Sequence, residues 1–444
     1  MDLQREKERE KEKLILKENG KTLNSNILNN KGYIDKEKDK INNKLDRNIY
    51  HKIELSFNNI IGSILKYYII LNLILLNLSQ EINDSYIIIK IKKNGTNYIL
   101  NSNFISLPDE IYINEIEMKD RNYFYDFKNE ENIIKMKWYS KLNNCENMFS
   151  NMINITEIDI SNFDTSEVTT MSSFFSGCSN LVRINLKKNN NIIDTSLVKN
   201  MTKMFYYCFS LESLDLSNLN MSLVIDISNI FYGCIALKNL NFSNLNMINI
   251  NSMLGLLASC QSLEFLDISN LYCPKLIIVN GMLSSSIKYL NMSNFTASIT
   301  NHQNLFTGKG FISIDVSNFN TFIRDMSIMF QGCSQLKNIN LTNYNTSLVI
   351  NMKQMFYGCL SLTSIDILKF DIQLVEDMSY MFGGCSSLIE LNISNLNASL
   401  VQNMNYIFSG CSSLISLDLS NFDTTSVTSL GGMFFFKIFK YVKI

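Results

Sequence analysis

From Met152 onward the chain repeats one motif at a spacing of about 26 residues, and this period limits its fold more than any other feature. The clearest copy starts at Cys411, C-S-S-L-I-S-L-D-L-S-N-F-D-T-T-S-V, and runs on to Met433-Phe434. The opening cysteine recurs at Cys178, Cys208, Cys234, Cys260, Cys333, Cys359 and Cys385, while Met152, Ser284 and Gly308 fill its slot in degenerate copies. That makes eleven units. A single unit of this length cannot bury its own apolar edge, so each must stack on its neighbours, and the expected architecture is a solenoid.

Composition matters mainly for what it excludes. Apolar residues make up 46% of the chain, enough for a continuous core, and the formal net charge of −1 gives nucleic acid no electrostatic footing. Eight of the ten cysteines share one slot, in the phrase F-x-G-C-x-x-L, among apolar neighbours. A buried thiol packs as a small hydrophobe, so a row of reduced, structural cysteines is expected rather than a disulfide framework.

Three regions precede the array. Residues 1–59 are rich in charges of both signs, opening R-E-K-E-R-E-K-E-K, and read as a solvated helix or disordered tail. Residues 60–79 are hydrophobic but carry Lys66, Asn72 and Asn77; they read as a signal-like or anchoring segment, or else as a buried helix or strand. Residues 83–150 hold strand-like runs, with K-K-N-G-T predicting a hairpin turn at Asn94-Gly95. A solenoid end must be covered, so this segment is assigned as a β-rich N-terminal cap with Trp138 sealing the first coil. The array itself spans 151–437. Residues 438–444 are read as an irregular C-terminus without a polar capping unit, as in a truncated chain.

Within a unit, Leu414, Leu417 and Leu419 follow L-x-x-L-x-L spacing, the last two alternating as a short strand with one face inward requires. Ser420-Asn421 and Asp423-Thr424 carry turn chemistry. Val427, Leu430 and Met433-Phe434 then recur at a spacing of three, which predicts a 3₁₀ or α-helical turn. The glycine before each cysteine, as at Gly177 and Gly410, suits a positive φ. This pattern, F-x-G-C-x-S-L-x-x-L-D-L-S-N-F-D-T-S-x-V-x-x-M, is matched at Ile158–Met171, Phe356–Asp366 and Phe408–Val427, and resembles the 26-residue surface-protein repeats related to BspA-like leucine-rich repeats. The resemblance implies a non-enzymatic surface or extracellular binding protein. The fold expected is a β-rich α/β repeat solenoid of leucine-rich-repeat type, right-handed, with a parallel sheet, short helical turns and about eleven coils. Irregularity is expected at Lys187–Asp194, where a unit is lengthened, and between Cys260 and Cys333, where two are shortened.

Between the two inward leucines of each strand one residue points outward. Along the array these are Asp159, Asn185, Asp215, Asn241, Asp267, Asn291, Asp315, Asn340, Asp366, Asn392 and Asp418, alternating Asp and Asn without exception. An unbroken Asp column would set carboxylates about 4.8 Å apart; alternation doubles that distance and lets each Asn amide donate to an Asp. The plainer reading is a self-satisfied polar ladder, and the functional one is a strip that contacts a ligand. A metal is not expected, because cation sites need several converging oxygens. Glycosylation sequons such as Asn154, Asn200, Asn291, Asn340 and Asn392 are what chance supplies in an Asn-rich chain. His51 and His302 have no counterparts in other units, and no phosphate loop, zinc spacing or nucleophile pair occurs, so neither enzyme activity nor a cofactor is expected. The expected partner is a protein or a glycan, at the cell surface or outside the cell, with possible membrane anchoring through residues 60–79; the rival is an intracellular protein–protein interaction scaffold.

Overall fold

The structure, a computed structural model, describes residues 85–188, 191–217, 219–242, 245–300, 305–319, 322–394, 396–419, 425–435 and 441–443. The chain divides into two units, Met1–Asn83 and Asp84–Ile444, and every described residue belongs to the second. The charged stretch 1–59 and the hydrophobic segment 60–79 lie outside the described residues. Among those described, no helix is long and apolar enough to cross a membrane.

Six strands precede the repeats: β1 (Ser85–Lys92), β2 (Gly95–Tyr98), β3 (Glu110–Ile113), β4 (Ile116–Glu117), β5 (Phe124–Phe127) and β6 (Glu131–Trp138). The hairpin expected at Asn94-Gly95 does not form. Its turn chemistry is present, with Gly95 at φ 77° and the Asn97 amide donating to the Asn94 and Gly95 carbonyls at 3.2 and 3.0 Å. However, Ile87, Ile89 and Ile91 are fully buried, and β1 lies antiparallel between β6 and the first repeat strand, β7 (Ile155–Asp159), leaving β2 to pair with β5. Burial of these three isoleucines outweighs a local turn preference. The edge of β7 is thereby covered, and Trp138, 3% exposed, sits edge-on against Phe163 at 5.5 Å.

The repeats continue with β8 (Arg183–Asn185), β9 (Lys187–Lys188), β10 (Asn191–Ile192), β11 (Ser213–Asp215), β12 (Asn239–Asn241), β13 (Phe265–Asp267), β14 (Tyr272–Cys273), β15 (Tyr289–Asn291), β16 (Thr296–Ala297), β17 (Ser313–Asp315), β18 (Asn338–Asn340), β19 (Glu390–Asn392), β20 (Ser416–Asp418) and β21 (Tyr441–Lys443). Ten of the strands from β7 to β20 (β7, β8, β11, β12, β13, β15, β17, β18, β19 and β20) mark successive turns, so the array is a β-solenoid of about ten turns with stacked parallel strands. The lengthened unit at Lys187 forms a small antiparallel hairpin, β9–β10. The shortened units pair twice, through β13–β15 and again through β14–β16. Residues 441–443 add a parallel strand beside β20.

Eleven coils were expected, but the unit of Asp366 carries no strand. Its inward slots are still filled, Ile367 being 1% exposed. At its corner Lys369 stands in place of the asparagine that takes φ 54° at Asn343 and does not enter the left-handed region.

The helical turns expected in the second half of each unit are absent: among the described residues no helix forms, and runs of turn replace them. In the unit from Met352, alternate amides bond to the next turn of the solenoid, Met352 to Asp377 O at 2.9 Å, Gln354 to Ser379 O at 2.9 Å and Phe356 to Met381 O at 2.9 Å. The amides between them close tight local turns, Met355 to Met352 O at 3.2 Å and Tyr357 to Gln354 O at 3.1 Å. Gln354 has φ 57° and Gly358 φ 74°, conformations that an α-helix cannot contain. A spacing of three therefore arises from chained turns, with Val349, Met352, Met355, Phe356 and Cys359 all fully buried.

Those inward groups form columns along the array. Phe205 stacks on Phe231 at 5.4 Å, Phe330 on Phe356 at 5.4 Å, Phe356 on Phe382 at 5.7 Å and Phe382 on Phe408 at 6.0 Å. All ten cysteines are free and buried. Each thiol in the repeat slot donates to the phenylalanine carbonyl one turn back, as from Cys234 to Phe205 O at 3.1 Å and from Cys359 to Phe330 O at 3.3 Å. The slot thus takes a group small enough for the core that still satisfies a buried carbonyl.

Candidate functional site

Most strands of the array are three residues long, with the middle side chain turned inward and the outer two outward, as in β11, where buried Leu214 lies between exposed Ser213 and Asp215. The alternating strip therefore runs up the outward face of the strands. At nine of its eleven positions the side-chain Oδ1 accepts the backbone N–H two residues on, at 2.8–3.1 Å: Asp159, Asn185, Asp215, Asp267, Asn291, Asp315, Asn340, Asp366 and Asn392. The corresponding acceptors' partners for Asn241 and Asp418 would be residues 243 and 420, outside the described residues. This bond ends the strand and turns the chain.

The other side-chain atom builds the ladder. The Nδ2 of Asn185 donates to Asp159 at 3.0 Å, Asn241 to Asp215 at 3.2 Å, Asn291 to Asp267 at 3.1 Å and Asn340 to Asp315 at 3.0 Å. Each of these four asparagines bonds back to the aspartate before it. Lys187, on the lengthened unit, reaches the same strip and binds Asp215 at 2.6 Å; with Ser217 it holds that carboxyl down to about 2.

Two further columns of the same kind were not singled out in the sequence. Asn144, Asn200, Asp226, Asp325, Asn351, Asp377 and Asn403 form one, with the same bond to the residue two on. Asp164, Asp194, Asn220, Asn345, Asp371 and Asn397 form the other. The most regular turns of the solenoid have three such corners. In several the residue two on is Ser or Thr, so the sequons at Asn200, Asn291, Asn340 and Asn392 are turn signatures and not chance. That recurrence of Asx-x-Ser/Thr three times per unit was the available signal.

The strand face also carries groups outside the strip. Glu212 pairs with Lys238 at 3.7 Å and Glu264 with Lys288 at 2.5 Å across neighbouring rungs. Phe265 and Tyr289, directly paired across β13 and β15, are 59% and 46% exposed. Clefts of about 350 and 490 Å³ open beside Phe265.

The core thiols are not set up as nucleophiles. Burial pushes the thiols of Cys178 and Cys260 up to about 12, the reverse of what a thiolate nucleophile requires. His51 and His302 lie outside the described residues. Among the described residues no three His, Cys, Asp or Glu side chains converge as a metal site would need.

Eleven chains of solved structures resemble this one. One is the crystal structure of a TLR13–ssRNA13 complex, with 17% identity, a TM-score of 0.24, and coverage of 62% of this chain and 48% of that one. Another is a leucine-rich repeat protein from Eubacterium ventriosum, with 16% identity, a TM-score of 0.26, and coverage of 65% and 84%. The chain thus spans about half the length of the first. No curated protein matches it. A family model, described as "Mycoplasma protein of unknown function, DUF285", matches residues 118–213, 143–270, 182–295, 208–319, 285–386 and 361–438. Successive overlapping copies of that model account for the sequence from residue 118 to residue 438, and the chain belongs to this repeat family.

Proposed function

We propose that the chain is a non-enzymatic binding protein of BspA-like character, displayed at the cell surface or secreted, which presents the strand face of its solenoid to a protein or glycan partner. The observation that carries the proposal is the strand face itself. It is an exposed array of carboxylate and amide groups, held by turn bonds and ladder bonds, with two exposed aromatic rings among them. Such preorganised polar groups lose little freedom on binding. The test is a glycan and purified-protein binding array probed with the full chain and with a variant carrying Asp215→Asn, Asp267→Asn and Asp315→Asn. Binding that falls in the variant supports the reading; equal binding removes the strip from the site.

A second reading, an intracellular scaffold with the same binding face, is favoured by the ten free thiols, which suit a reducing compartment. Membrane fractionation with protease protection separates the two. Recovery of the chain in the soluble cytosol without membrane extraction decides for the scaffold.

A further inference from the structure

We propose that the strand face holds a subsite for a neutral glycan where β12 gives way to β13, a placement that rests on the strand-face reading above. The parallel pairing is interrupted at this step: β11–β12 form one sheet and β13–β15–β17–β18 another. The interruption coincides with Phe242, an aromatic in an inward slot filled by Leu216, Ile268, Met292 and Val316 in the neighbouring turns. Two clefts open at the break, of about 350 and 490 Å³, and both are bounded by Asn241 and Phe265.

The groups around this step suit one class of ligand. Phe265 and Tyr289 stand exposed on consecutive rungs, about 4.8 Å apart by strand spacing, close to the length of one sugar ring. The C–H face of a sugar packs against an aromatic ring without needing charge. In the next column, Asn241 donates to Asp215 and Asn291 to Asp267. Those bonds fix the amide and carboxylate planes. Asp215 is taken up by Lys187, Ser217 and Asn241, whereas Asp267, which accepts from the Ser269 N–H and the Asn291 amide, keeps capacity for hydroxyl groups, since a carboxylate has about four acceptor sites. On the other side of the rings, Lys238 pairs with Glu212 and Lys288 with Glu264. Each of these lysines is matched by a glutamate on the neighbouring rung, so they offer no unpaired positive charge to an anionic ligand. A protein partner would ask for a broader desolvated apolar centre than two rings in a polar face.

The full chain should be titrated by calorimetry with cellohexaose, chitohexaose and laminarihexaose as neutral probes. At least one should bind, and Phe265→Ala and Tyr289→Ala should each weaken it tenfold or more. Phe322→Ala, which removes a ring 57% exposed at another corner, should leave it unchanged. Both rings are exposed, so circular dichroism of the variants should match the parent. Failure of all three probes to bind overturns the proposal, as does undiminished binding by the ring variants. If no glycan binds while a purified protein is captured in a manner sensitive to Asp215→Asn, Asp267→Asn and Asp315→Asn, the glycan subsite falls and the strand-face reading stands. If neither glycan nor protein binds, both fall.

Discussion

Single residues set the shape of each turn, and the left-handed positions are the most exacting. One recurs in every chained-turn segment, filled by Asn147, Asn229, Gly255, Gln354 or Tyr406, all near φ 56–60°. Ile328 occupies the same slot at φ 56°, where a β-branched side chain is strained. Replacing it with the asparagine used at Asn147 and Asn229 should stabilise the protein by about 1 kcal/mol, read as a raised urea midpoint. The opposite change, Gly177→Ala, adds a Cβ 2.4 Å from Asn151 Oδ1 at φ 74°, and should cost more than about 1 kcal/mol. The thiols lead to a separate expectation about pH. Cys178 and Cys260 titrate near 12 when folded against an ordinary value of 9.0, because burial penalises the thiolate. Between these values the unfolded chain binds fewer protons than the folded one, so stability is complete below pH 9 and falls as pH rises toward 12. Each such thiol contributes about 1.4 kcal/mol per pH unit in that window. Denaturation midpoints measured from pH 7.5 to 10.5 should fall accordingly, and Cys178→Ala should make the decline shallower.

At the scale of the element, a regular turn of the solenoid is a strand and two arcs joined at three Asx corners. The strand, the inward leucines and the alternating strip could be read from the sequence, because they follow a period of two inside a longer repeat. The arcs could not. Apolar spacing of three is shared by helical turns and by chained tight turns, and only the left-handed residues between them, such as Gln354 and Gly358, decide the matter. The aromatic pair was also illegible, since Phe265 and Tyr289 sit in an outward column with no period, shared with Ser213, Asn239 and Ser313. Alternation in the strip makes its own demand. Asn291 lies between Asp267 and Asp315, donating to the first at 3.1 Å. Asn291→Asp would remove that donor and place three carboxylates on successive rungs about 4.8 Å apart. A loss of about 1 kcal/mol at low ionic strength is expected, shrinking in 1 M salt and again at pH 4 as the carboxylates protonate. A reversed strip variant, Asp267→Asn, removes charge without repulsion and should show little dependence on salt.

The whole array is held by two ladders on different sides, and they are not equally continuous. On the strand side pairing lapses between β8 and β11, between β12 and β13 and again at the unit of Asp366. On the arc side parallel bridges run unbroken from Asn144 through Thr170, Asn200, Asp226 and Ser252 to Ile278, and from Asp325 through Asn351, Asp377 and Asn403 to Ser429. At the β12–β13 step, the bonds from Ile227, Asn229 and Phe231 to Ser252, Leu254 and Leu256 carry the connection, at 2.7–3.2 Å, together with the phenylalanine and leucine columns beneath them. Nearest-neighbour coupling in a repeat protein is the sum of such interfaces, so this step should stay cooperative while its strand side opens locally. Native-state hydrogen exchange resolves the two sides directly. Amides of Asn239–Asn241 and Phe265–Asp267 should exchange on average faster than those of Ile227, Asn229 and Phe231 in the same turns. Equal protection on both sides would mean that the break in the strand ladder has no energetic consequence. Phe242→Leu, which restores the aliphatic residue of the neighbouring turns, should then slow exchange in β12 and β13 selectively and leave the arc-side amides as they were.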